Sequence, residues 1–223
     1  MSVKAVTRFY EAHHADNAKV GTGRIASRQR IAHFVEWVGK GKDLLDLGCR
    51  DGELTSHYLD GNRVTGCDID RNALEIAKKR GIDTHYADLN EDLPFPDKTF
   101  DAVVTGEVLE HVMFPPMTVK EIARVLRPDG MLVGSVPNGY RLKARSKFLF
   151  GGEVDTNPFH EHLHTFACWT LRQMLDRYFE NVFITAVGGR IVGPWKVGRR
   201  TPRRLAFWFA KDLVFRAQKV KPS

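Results

Sequence analysis

The chain has 223 residues, 43% of them apolar and 27% charged, the proportions of a folded domain rather than of a disordered chain. No apolar run approaches the ~20 residues that a membrane-spanning helix needs, and the N-terminal MSVKAVTRFYEAHHAD carries charge where a secretory leader carries an apolar core. The net charge of +7 is unevenly placed: from Arg190 to Ser223 ten basic residues stand against one acid, which leaves the first 189 residues at −2. An anionic partner is therefore expected for the tail, and nucleic acid is not expected on the body. Cys49, Cys67 and Cys168 lack metal-ligand spacing and fit a reducing, cytoplasmic setting.

In chain order, residues 24–38 read as an amphipathic helix with Ile25, Ile31, Phe34, Val35 and Val38 on its apolar face. Tyr10 and His14, upstream, read as packing residues, with ligand contact as the alternative. Asp43–Leu47 is a short apolar strand running into Gly48, with a helix starting near Gly52. Arg63–Cys67 is a second strand, followed by a helix from Arg71 to Arg80 that Gly81 stops. Ile82–Ala87 and Phe100–Thr105 are further strands. A helix over Met117–Leu126 ends at the turn Pro128–Asp129–Gly130, and Met131–Val136 is a fifth strand. Residues 138–165 are too long for a simple connector and read as a substrate loop. A helix over Trp169–Tyr178 and a strand over Asn181–Val187 follow, with Gly188–Gly189 turning a hairpin into a strand over Arg190–Val197. Arg203 to Lys219 reads as one basic amphipathic helix. Its apolar arc leaves Trp208 and Phe215 among the basic residues, which suits a membrane surface, a partner or simple docking on the body.

Apolar strands alternating with helices call for a parallel sheet covered on both faces, with ligands bound beyond the carboxyl ends of the strands. Asp46/Gly48, Asp68/Asp70 and Thr105–Gly106–Glu107 fall at three such ends. The segment Leu44-Leu45-Asp46-Leu47-Gly48-Cys49-Arg50-Asp51-Gly52 has no G-x-G-x-x-G, which disfavours a dinucleotide. Glu107, Glu110 and His111 are spaced to share one face of a helix and could hold a divalent cation. His160, His162 and His164 would point one way on an extended segment.

The D-x-G-x-x-x-G run, the acid Asp68 ending the next strand, Ala87–Asp88, Glu107-Val108-Leu109-Glu110-His111, Leu126–Gly130 and His164–Phe166 together resemble the class I S-adenosylmethionine-dependent methyltransferases. Within them they resemble the methyltransferase type 11 branch, which includes ubiquinone-biosynthesis O-methyltransferases. The resemblance implies a Rossmann-like, doubly wound, mostly parallel seven-stranded α/β sheet over residues 1–189, with residues 1–40 as a helical cap and 190–223 as a separate basic tail. It implies that Asp46, Gly48, Cys49 and Gly52 line the amino-acid part of S-adenosylmethionine and that Asp68 accepts from the ribose hydroxyls. Ile69, Asp88 and Leu89 would meet the adenine, and Thr105 and Gly106 the sulfonium end. Arg24 or Arg28 would pair with the cofactor carboxylate or remain solvated. The implied activity is O-methylation of a small or lipid-linked hydroxylated acceptor by in-line displacement, which releases S-adenosylhomocysteine. His164, then His162 and His111, are the candidate bases, and a metal on Glu107, Glu110 and His111 is the less favoured route. The alternatives are an RNA 2′-O-methyltransferase and a non-catalytic binding scaffold. The scaffold is suggested by Arg50, which stands where the family usually has a glycine.

Overall fold

The computed structural model describes residues 24–152, 162–189, 197 and 202–221. Tyr10, His14, His160 and the strand expected over Arg190–Val197 lie outside them, Val197 excepted. After helix α1 (Arg24–Val38) come strand β1 (Asp43–Leu47), a helical turn α2 (Ser56–Leu59), β2 (Arg63–Asp68), α3 (Arg71–Lys79), β3 (Asp83–Tyr86) and β4 (Phe100–Gly106). Then follow α4 (Pro115–Val125), β5 (Leu126–Pro137), α5 (Leu142–Leu149), α6 (Cys168–Leu175), β6 (Phe179–Val187), α7 (Arg203–Phe209) and β7 (Asp212–Val220).

The strands form one seven-stranded sheet in the order β3-β2-β1-β4-β5-β7-β6. All neighbouring pairs are parallel except β5–β7 and β6–β7. Strand residues alternate between two apolar layers, as the two-residue period of a strand requires. Leu44, Ala102, Val104 and Val133 meet Phe34 and Val38 of α1, Tyr58 of α2 and Ala77 of α3. Leu45, Leu47, Val103 and Leu132 meet Val119 and Ile122 of α4, Leu171 and Leu175 of α6 and Ala206 of α7. Helices therefore cover both faces, as a parallel sheet demands. Asp70 caps α3, accepting from the backbone N–H groups of Asn72 and Ala73 at 2.9 and 3.1 Å, which sets where that helix starts after β2.

Two expectations are corrected. The helix expected over residues 203–219 stops at Phe209, and Asp212–Val220 is a strand inserted between β5 and β6. Its apolar residues satisfy a period of 2 as well as one of 3.6. Leu213, Phe215 and Ala217 enter one layer and Val214 the other, and the exposed ladders of β5 and β6 decide between the two readings. The boundary expected at residue 189 therefore does not separate a tail from the sheet. Phe215, expected among solvated basic residues, is fully buried. The turn at Pro128–Gly130 is a bulge inside β5, where Phe100 pairs with Leu126 and Ala102 with Met131; a bulge is where a proline without an N–H is tolerated. The substrate loop expected over 138–165 contains α5, which has no buried residue.

Candidate active site at the strand ends

β1 and β2 run in register, with Leu47 beside Cys67 on one side and beside Thr105 of β4 on the other. Gly48, Asp68 and Gly106 thus leave the sheet at one level. Gly48 turns at φ 67°, and an added Cβ there would stand 2.7 Å from Cγ2 of Val108, so the turn admits only glycine without displacement. The loop is tied down by its main chain: the N–H groups of Gly48 and Cys49 both donate to the Cys67 carbonyl, at 2.8 and 3.1 Å. Cys49 contributes this backbone contact, while burial pushes its thiol, like that of Cys67, far up.

Arg50 takes a φ of 52°, the conformation that a glycine would adopt freely and that costs another L-residue about 1–2 kcal/mol. Its N–H donates to Oδ2 of Asp68 at 2.9 Å, and the Asp70 N–H donates to Oδ1 of the same carboxylate at 2.9 Å. The departure from glycine therefore preserves the loop path. Arg50→Gly should raise stability by about 1 kcal/mol, since relief of the left-handed strain exceeds the entropy gained by the unfolded chain. Denaturant unfolding checks this, and an unchanged midpoint would remove the strain argument.

Asp46 lies under the loop, 3% exposed. The hydroxyls of Thr55 and Tyr58 both donate to its Oδ2 at 2.6 Å. Burial raises its pKa from 3.8 to about 6, against the two hydroxyl donors. Between those values the folded state keeps a proton that the unfolded state has lost, so stability falls as pH rises through this window. The unfolding free energy of the parent relative to Asp46→Asn should drop by about 2 kcal/mol from pH 4 to pH 7. A pH-independent difference would show that the carboxyl titrates normally.

The remaining positions expected to hold the cofactor lie around this loop. Asp68 is buried and Ile69 half-buried. Oδ1 of Asp88 accepts from the backbone and side-chain nitrogens of Asn90 at 3.0 and 2.8 Å. The Leu89 carbonyl accepts from the Thr118 hydroxyl at 3.3 Å. Thr105 is fully buried, and its hydroxyl has no hydrogen-bond partner among the described residues. A buried hydroxyl is rarely left so unless something else occupies the space. That orphan, the tight Gly48 turn and an acceptor-only carboxylate at the next strand end fit a nucleoside whose hydroxyls need acceptors.

The segment after β4 is not the helix expected for Glu107, Glu110 and His111. Glu107 takes a φ of 61°, and a single turn follows in which the His111 N–H donates to the Val108 carbonyl at 2.9 Å. Glu107 therefore parts from the other two, while Oε1 of Glu110 stays 3.9 Å from Nε2 of His111. Oε1 of Glu107 accepts from the Ser135 hydroxyl at 2.7 Å and pairs with Arg30 at 3.1 Å. Glu110 turns inward, fully buried, with no hydrogen-bond partner on either oxygen among the described residues. Burial, followed by the nearby Glu107 charge, holds its carboxyl well above the usual range, with Arg30 opposing. Asp212, at the start of β7, is pushed up to about 6 by the same two causes.

Among the described histidines, His111 and His162 meet. The Leu163 and His164 N–H groups both donate to the Glu110 carbonyl, at 2.8 and 3.1 Å, which lays the 162–164 segment against the turn. The His111 and His162 rings meet edge to face with centroids 4.9 Å apart. One ligand atom from each of Glu110, His111 and His162 lies within 4.8 Å of the other two, so His162 takes the place in this cluster that the sequence reading assigned to Glu107. Nε2 of His164 lies 3.1 Å from the Met113 carbonyl. Arg28 is exposed; the arginine that reaches the site is Arg30, which sequence reasoning missed. Asp212 was missed as well, although it is the only acid among the last 34 residues.

Residues 45–134 match the family described as "Methyltransferase domain". The chain is 36% identical over 104 residues to a demethylmenaquinone methyltransferase of Symbiobacterium thermophilum, covering 42% of this chain and 41% of that protein. It is 34% identical over 156 residues to a ubiquinone biosynthesis O-methyltransferase of Aromatoleum aromaticum, covering 65% and 66%. The chain spans about half the length, or less, of the first curated relatives it matches. A solved S-adenosylmethionine-dependent methyltransferase from Thermotoga maritima shares the fold at a TM-score of 0.70 and 17% identity, covering 96% of this chain and 97% of that one. The sheet order, the strand-end loop and the matched segment place this chain in the class I S-adenosylmethionine-dependent methyltransferase family.

Proposed function

We propose that the chain transfers a methyl group from S-adenosylmethionine to a hydroxyl oxygen of a small or lipid-linked acceptor, with His164 as the base. The observation that carries this reading is the contact between His164 Nε2 and the Met113 carbonyl. A carbonyl only accepts, so Nε2 holds the proton and Nδ1 is left basic. The tautomer is set by the main chain, as an oriented base requires.

S-adenosylmethionine, when bound, supplies a methyl group on a sulfonium that is open to in-line attack. The chain's own part is alignment and removal of one proton. Asp68 and the Gly48 loop hold the nucleoside, and His164 takes the acceptor proton as oxygen attacks. Met113, Phe114 and Leu163 are exposed beside the imidazoles and give the mouth an apolar rim, which suits an acceptor with a hydrocarbon portion. Two relatives named for quinone methylation agree with that class. The first 189 residues carry a net charge of −2, against the cations that an RNA's phosphates would need.

The test is methyl transfer to a panel of phenols, sugars and lipid extracts, with and without chelator, alongside calorimetry with S-adenosylhomocysteine. The expected result is uptake of the nucleoside and a chelator-insensitive methyl ether. A product methylated on nitrogen or carbon would overturn the oxygen assignment. Loss of turnover with chelator would pass the base's role to an ion at Glu110, His111 and His162. Folded material that takes up no nucleoside would leave only a scaffold.

A further inference from the structure

We propose that α5 and α7 form a docking face for an anionic lipid bilayer. This inference narrows the surface contact expected over residues 203–219 to α7 and joins α5 to it, because β7 buries the second half of that segment. Helix α5 runs Leu-Lys-Ala-Arg-Ser-Lys-Phe-Leu without a single buried residue. Phe148, Leu149 and Phe150 follow one another at its end with exposures of 70%, 78% and 89%, and Tyr140 and Leu142 are exposed at its start. Leu205 and Trp208 of α7 are exposed too. The Arg145 guanidinium lies 4.9 Å from the centroid of the Trp208 ring, which joins the two helices into one surface. Asn138 fixes the join from below, its side-chain amide donating to the Phe207 and Ala210 carbonyls at 2.9 and 3.1 Å.

Among the described residues of these two segments the charge has one sign: residues 139–152 contain Arg141, Lys143, Arg145 and Lys147, residues 204–211 contain Arg204 and Lys211, and neither segment has an acid. A set of exposed apolar side chains among cations is the pattern of a surface that sinks its apolar side chains below the headgroups while lysine and arginine reach the phosphates. The composition favours a bilayer over a protein partner, because protein interfaces are depleted in lysine and Lys143 and Lys147 lie within the patch. Against a nucleic acid, which is held by stacking on rings, the patch sets Leu142, Leu149 and Leu205 among its aromatic side chains, apolar groups that a bilayer takes up and a base does not stack on; the oligonucleotide arm of the test decides between them. Arg141 also acts on Asp212 electrostatically, so the face borders the site. Docking there would bring the apolar rim of the acceptor mouth toward the lipid.

The test is co-sedimentation of the full chain with phosphatidylcholine vesicles and with the same vesicles containing phosphatidylglycerol, together with Trp208 emission. The expected result is binding to the anionic vesicles, weakening with salt, with a blue shift of the emission. The triple substitution Phe148→Ser, Leu149→Ser, Phe150→Ser should lower the partition by about tenfold or more, with thermal midpoint and nucleoside affinity unchanged. Equal partition onto neutral and anionic vesicles, or a triple variant that binds like the parent, would overturn the proposal. So would tight binding of a single-stranded oligonucleotide with no vesicle partition. Vesicle binding is read without turnover, so its failure and the failure of the methyl-transfer reading are separate results.

Discussion

Asp68→Ala should weaken binding of S-adenosylmethionine by about 10²–10³-fold, the largest single loss of affinity expected from the chain. Hydrogen bonds to a charged group contribute about 1.5–3 kcal/mol each, and this carboxylate is assigned both ribose hydroxyls. It also holds the loop itself, through the Arg50 and Asp70 N–H groups at 2.9 Å. Asp68→Asn keeps one acceptor oxygen and removes the charge, and it should fall between the parent and Asp68→Ala. Calorimetry with S-adenosylhomocysteine checks both variants, with circular dichroism to confirm the fold. An alanine variant that binds like the parent would place the nucleoside somewhere other than the ends of β1 and β2.

The second large effect is on rate. His164→Ala should lower kcat by about 10²–10⁴-fold, the usual contribution of a positioned general base, and leave nucleoside affinity untouched. His164→Asn separates positioning from proton transfer. Its amide can still donate to the Met113 carbonyl, so the 162–164 segment stays against the turn, but the side chain offers no basic nitrogen. It should be as slow as the alanine variant. If His164→Asn retains the parent's rate, the residue serves only to hold the segment, and the base is His162 or His111.

The stability predictions are smaller and concern the same loop. Arg50→Gly probes the strain of a left-handed residue between two tied strands. Asp46→Asn probes a carboxyl that the fold has taken out of water, with Thr55 and Tyr58 as its donors.

The ordered alternation of short apolar strands with helices already specified a doubly wound sheet in the sequence. So did the polar and glycine residues that punctuate the ends of β1, β2 and β4, because a parallel strand must be apolar along its length and can bind ligands only where it stops. The D-x-G-x-x-x-G run was legible for the same reason: its spacing is a property of one continuous loop.

What the sequence left open was every feature that depends on partners distant in the chain. Residues 212–220 carry a pattern that a helix and a strand both satisfy, and only the unpaired ladders of β5 and β6 choose the strand. Glu107, Glu110 and His111 have helical spacing, yet a left-handed residue after β4 turns Glu107 away from the other two, sending it to Arg30 and Ser135 and burying Glu110 beside His111 and His162. Arg30 and Asp212 enter the site from opposite ends of the chain. Local periodicity can describe the surface a segment offers, but which surface receives it is settled by tertiary packing.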